Sequence, residues 1–127
     1  MRDFHNLVVW QRSHELTLQL YRATEKFPKA EVFGLTSQIR RASASIPTNL
    51  AEGCGRWGDG DMGRFAQIAM GSASEVAYLI LLANDLGYVS STDYEALSSQ
   101  LNEIRRMLTV FYKRIRSEKK SELAHVC

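Results

Sequence analysis

Gly34-Leu-Thr-Ser-Gln-Ile-Arg-Arg-Ala-Ser-Ala-Ser-Ile-Pro-Thr-Asn-Leu-Ala-Glu-Gly53 is the stretch that decides the fold. Leu35, Ile39, Ala42 and Ile46 recur at intervals of four, three and four, the rhythm of a helix that buries one stripe. Beside them run Gln38, Arg41, Ser45, Asn49 and Glu52 at nearly the same spacing. The stretch therefore predicts a helix with a core face and an ordered polar row next to it. A free-standing bundle has no need of such a row, so the row is expected to meet something. Pro47 removes one backbone donor and crowds the carbonyl of Ser43, which predicts a kink, or a split into two short helices.

Working outward, three more amphipathic segments account for nearly all of the chain. Val9, Ser13, Leu16, Leu20, Ala23 and Phe27 keep a helical rhythm, and Pro28 is expected to end that helix by restricting Phe27. Phe65, Ala69, Ser72, Val76, Leu79, Ala83 and Leu86 carry a third helix. Thr92 with Glu95 reads as a capping box, followed by Leu97, Leu101, Ile104, Leu108, Phe111 and Ile115 on a fourth. No run alternates apolar and polar residues as a strand would. Helices of about 20 to 26 residues, rods of about 30 to 40 Å, favour an all-α, antiparallel up-down-up-down four-helix bundle with the second helix kinked at Pro47. The bundle domain is expected over residues 1–116, with 117–127 a polar, disordered tail.

The 127 residues are 45% hydrophobic and 24% charged, an ordinary globular balance that supplies one core. No run is read as the 18 to 20 or so apolar residues of a membrane span, and no signal peptide is visible at Met-Arg-Asp-Phe-His-Asn. Cys54 and Cys127 stand far apart without a CxxC pair, which argues against a disulfide framework. These features predict a soluble, cytoplasmic chain.

Several blocks together resemble a family: Leu7-Val-Val-Trp10 with Gln11, Phe27-Pro28 with Glu31, Gly34 to Ala42, Ser45-Ile-Pro-Thr-Asn49 and Ala51-Glu-Gly53. Arg64-Phe65, Ile68-Ala69, Gly71-Ser72, Glu75 and Leu86-Gly87-Tyr88 extend the match over residues 4–116 or so. The chain is similar to the four-helix-bundle proteins named after the intervening sequence of bacterial 23S ribosomal RNA genes. That resemblance implies a small cytosolic bundle, assembled as a ring-shaped homopentamer, in a family most of whose members have no defined activity. A more distant, strongly basic relative assists retroelement reverse transcriptases. This chain departs in having Leu50 for a β-branched residue, Ala73 for a longer apolar one, and a net charge of only +2.

Candidate contact residues fall into two sets. Gln38, Arg41, Asn49 and Glu52 lie on one helix face, and Glu75 can approach from the third helix. They suit an internal network, an oligomer interface or ring lumen, a solvated edge or, as a further alternative, a hydrolytic site built on Arg41, Asn49, Glu52 and Glu75. Gly71 joins them, because a helical glycine costs about 1 kcal/mol relative to alanine and so implies a close contact. Trp10 and Tyr78, if exposed, would fit an interface. The second set is basic. From Arg105 to Lys120 seven basic residues face one acid, Glu118. Arg105, Arg106, Lys113, Arg114 and Arg116 could attract phosphate, or simply solvate a helix end and complement its dipole.

No enzyme chemistry assembles. Gly53-Cys-Gly-Arg-Trp-Gly-Asp-Gly60 lacks the lysine and the strand of a phosphate loop. A left-handed cap at Gly53 or Gly55, with Asp59 or Asp61 capping the third helix, explains it better. Glu122 and His125 have one half of a di-iron spacing without the rest. His5 and His14 have no partner at metal-ligand spacing. The expectation is a non-catalytic, homo-oligomeric scaffold with no cofactor, metal, membrane or small-molecule partner. An RNA- or nucleic-acid-binding accessory role through the basic helix is the alternative.

Overall fold

The computed structural model describes residues 3–56 and 59–126, apart from the side chains of residues 59 and 119–126. Four helices form: α1 (Val8–Thr24), α2 (Leu35–Cys54), α3 (Asp59–Asp85) and α4 (Ser91–Val126), with short 3-10 turns at Phe4–Asn6 and Lys29–Glu31. Among the described residues there is no strand. Each helix packs on its two neighbours in the order α1, α2, α3, α4 and back to α1, and among the described residues no diagonal pair of backbones comes as close. Paired residues run in opposite senses on three sides, Thr17 with Ser43 and Thr24 with Arg40, Arg105 with Ser74 and Tyr112 with Gln67, Arg12 with Glu103 and Gln19 with Gln100, and Ser45 with Ser72 joins the fourth.

The apolar stripes meet as read, and Leu50 and Ile80 join them. Leu16, Leu20, Ile39, Ile46, Leu50, Val76, Ile80, Leu101, Ile104 and Leu108 are all almost completely buried. Leu86, expected in the core, is half exposed instead, because it follows the end of α3. There the chain turns through a Schellman motif, in which Gly87 adopts a φ of 80°. The Tyr88 N–H reaches the Ala83 carbonyl and the Gly87 N–H that of Asn84, satisfying two carbonyls the helix end would leave open.

Other boundaries differ from the sequence reading. α1 stops at Thr24, well before Pro28. Arg40 of α2 donates from Nη2 to the Tyr21 carbonyl and from Nε to Thr24 Oγ1, so a neighbouring helix closes this end. The cap of α4 is Ser90, whose Oγ accepts the Asp93 N–H at 3.1 Å, rather than Thr92. α4 is far longer than the other helices, and its backbone is helical through Val126.

Pro47 lies inside an unbroken α2, which excludes the split into two helices. The ring removes the donor that would serve the Ser43 carbonyl. Thr17 Oγ1 of α1, itself buried, lies 3.1 Å from that oxygen and 2.8 Å from the Ser13 carbonyl. A hydroxyl from the next helix, its single proton shared with the Ser13 carbonyl, thus stands where the missing N–H would be.

Gly53 is not a left-handed cap. It sits buried within α2, and the chain leaves the helix at Gly55 with φ −80°. A Cβ on Gly53 would collide with Met62 Sδ and lie 3.2 Å from Phe65 Cβ, so the glycine lets α2 and α3 meet closely. The cap position of α3 lies outside the described residues. Asp61 is exposed and already within the helix.

Candidate functional site

Along the α2/α3 seam the polar row divides. Asn49 Nδ2 donates to the Ser45 carbonyl at 2.7 Å and to Ser45 Oγ at 2.9 Å; that hydroxyl lies 2.8 Å from Ser72 Oγ across the seam. Asn49, Ser45 and Ser72 are half-buried and form a small hydrogen-bonded chain between the helices. Gln38 and the charged members are not part of it. Gln38, Arg41, Glu52 and Glu75 are all exposed, and no ion pair joins Arg41 to Glu75 among the described residues. Glu52 reaches Arg56 at 3.4 Å with both side chains about half exposed, a pairing of little energetic weight. Of the roles the spacing leaves open, these exposed side chains suit a solvated edge or an interface: helix periodicity places them beside the core, and they point outward.

α3 supplies the unusual surface. It is the one described helix long and apolar enough to cross a membrane by length and composition, which the sequence reading missed because scattered serines, glycines and one glutamate interrupt the run. Of its most apolar 18 residues, only 39% are buried inside the bundle. Its small residues separate by face. Ala66, Ala69 and Ala73 are fully buried, whereas Gly71 is exposed and a Cβ there would touch nothing within 4 Å. Around Gly71 the outer face shows Ile68 (42% exposed), Tyr78 (60%) and Leu81 (40%), with Glu75 and Asp85 between and beyond them. No contact within the chain explains Gly71. Trp10, by contrast, is engaged, stacked on His14 at 5.0 Å and packed on Phe4.

Arg105, Arg106, Lys113, Arg114 and Arg116 of α4 are all exposed, and the structure sorts them. Arg105 Nη2 faces Ser74 Oγ of α3 at 3.5 Å, and Arg116 Nη1 donates to Tyr112 Oη at 3.1 Å; Tyr112 in turn accepts from Gln67 of α3. Arg106 and Arg114 lie on the other side, at an open groove of about 490 Å³ between α4 and the start of α1. Its floor is Leu7, Met107 and Phe111, with Val8 and Val110 on the rims. The sequence reading missed this groove. Its signal was Val110, an apolar residue off the core stripe of α4, next to Val8, off the stripe of α1.

Two titrating groups are displaced from ordinary values. The Asp3 carboxyl is held down, chiefly by its hydrogen bond with the His5 ring at 2.8 Å. The Tyr88 phenol is pushed up because it donates to the Glu31 carboxylate at 3.0 Å. Glu31 Oε1 also accepts the Leu35 N–H, so one carboxylate ties the entry of α2 to the segment before α4. No group of three or more metal-ligating side chains occurs among the described residues. Glu122 and His125 have side chains outside the described set, and Cys54 is buried.

A four-helix bundle whose distinctive groups lie on outer surfaces is the class that fold and geometry define. The chain belongs to the 23S rRNA-intervening sequence protein family, whose model matches residues 5–110. It is also similar to the crystal structure of a protein of unknown function from the S23 ribosomal protein family of Bacteroides thetaiotaomicron. The two share 25% identity and a TM-score of 0.75, over 84% of this chain and 99% of that one. Comparison with curated proteins gives no match.

Proposed function

We propose that this protein is a non-catalytic, cytosolic scaffold that assembles with copies of itself, five to a ring, through the outer face of α3 and the adjoining polar row of α2. The observation that carries the reading is that face: Ile68, Gly71, Tyr78 and Leu81 exposed on the most apolar helix of the bundle. Apolar and aromatic residues gathered on one surface mark contact sites, and a bare glycine permits close helix approach. Gln38, Arg41, Asn49, Glu52 and Glu75 would form the polar rim. The number five rests on the resemblance of the sequence blocks quoted above. Gly71→Arg combined with Tyr78→Glu tests the assignment. Particle mass by light scattering should fall to that of one chain while the helical circular dichroism stays unchanged; an unchanged mass would remove this face from the interface.

The exposed cations of α4 favour nucleic-acid binding as a second reading, with Arg105, Arg106, Lys113, Arg114 and Arg116 meeting phosphates. Affinity for a labelled single-stranded RNA should then fall steeply with salt, and Arg105→Glu with Arg114→Glu should flatten that dependence. Salt-insensitive or absent binding would dismiss it.

A further inference from the structure

The α1/α4 groove has an apolar bed with a cation at each end. Arg106 and Arg114 are eight residues apart on α4, a separation of about 12 Å, with Val110 between them. Glu103, the acid at this groove, is held by Arg12 at 3.0 Å, and neither Arg106 nor Arg114 has an ion-pair partner among the described residues. Val8 and Val110 remain 53% and 59% exposed. Bare phosphates would gain nothing from those valines, and a small molecule would be left half open to water. The groove calls for a macromolecular surface with an apolar centre and acidic flanks.

The same chain carries such a surface. On the outer face of α3, Glu75, Tyr78, Leu81 and Asp85 are all exposed, an acid at each end with an aromatic and an aliphatic residue between. The acids are ten residues apart, about 15 Å, a span that two long arginine side chains can meet. We infer that the α1/α4 groove of one copy receives the outer face of α3 of the next, with Tyr78 and Leu81 over Val8 and Val110 and the Glu75 and Asp85 carboxylates against Arg106 and Arg114. This rests on the homo-oligomer reading above and names the missing half of its interface. Two different patches of one chain make a head-to-tail contact, which generates a ring when the rotation closes. Here the patches are not back to back. The α3 face leans toward α4, since Gln67 and Ser74 on that flank bond to α4, the helix that also borders the groove.

Charge reversal tests the pairing, because all four charged residues are exposed and CD can verify that each variant folds. Arg106→Glu with Arg114→Glu, and separately Glu75→Arg with Asp85→Arg, should each weaken self-association by at least about 100-fold through facing like charges. All four changes in one chain should restore the mass of the unmodified assembly. Restoration supports the pairing. An assembled parent chain whose double variants stay assembled overturns it while leaving the homo-oligomer reading in place. Double variants that dissociate without rescue by the fourfold variant also overturn it, since the residues then do not face one another. A monomeric parent chain overturns both.

Discussion

Gly53→Val is expected to lower the folding free energy by about 2–3 kcal/mol and the melting temperature by roughly 10 °C. The first atom of any side chain at this position runs into Met62 Sδ, which can swing aside. It also runs into Phe65 Cβ at 3.2 Å, which is fixed to the backbone of α3 and cannot. Relief would require α2 and α3 to separate along the seam that holds Ile46, Leu50, Ala69 and Ala73. Glycine is a poor helix former, so the substitution gains a few tenths of a kcal/mol in propensity, and overpacking outweighs it. Gly71 provides the opposite sign. Nothing lies near its absent side chain within the chain, so Gly71→Ala should raise the stability of the isolated chain by up to about 1 kcal/mol. Thermal melts of the two variants measure both. Equal responses would mean that close helix approach at Gly53 is not what that glycine supplies.

Thr17→Val should cost about 2 kcal/mol although it changes the side-chain volume hardly at all. The Ser43 carbonyl would lose the hydroxyl that stands in for the N–H absent at Pro47, and it would remain in the interior without a partner. Thr17→Ser, which keeps the hydroxyl, should lose much less. Pro47→Ala in the Thr17→Val background should recover part of the loss, because alanine returns the N–H to the helix ladder. The double-mutant cycle in urea therefore predicts a coupling between residues 17 and 47, on different helices. Additive losses would show that the hydroxyl serves only its own helix.

Why this coupling escaped a reading of the sequence shows where periodicity stops. Spacing located the buried stripe of every helix, since burial follows directly from the angle between successive side chains. Ser13 was placed in the core on that ground alone, and it is buried. Spacing carries no information on which residues of two stripes come level. The Thr17–Ser43 link, the closure of α1 by Arg40 and the approach of Gly53 to Phe65 all depend on that register. The same limit applies to the surfaces. Periodicity put Arg41 and Glu52 next to the core without saying whether they turned in or out; a few tens of degrees of helix rotation decides that. The basic cluster was visible as composition, but its division between an α3-facing pair and a groove-facing pair required the packing of α4. Cap positions failed for a local reason. Ser90 and Thr92 both have a hydroxyl and both precede an apolar run, and only the observed hydrogen bond to Asp93 distinguishes them.

The claim on which the account turns is that copies of this chain bind one another. Light scattering coupled to size separation, at moderate salt and over a range of protein concentrations, tests it most directly. A single species with five times the mass of the 14.4 kDa chain is expected. A species of one chain mass at every concentration would contradict it, and would leave the outer face of α3 to be explained by a different partner.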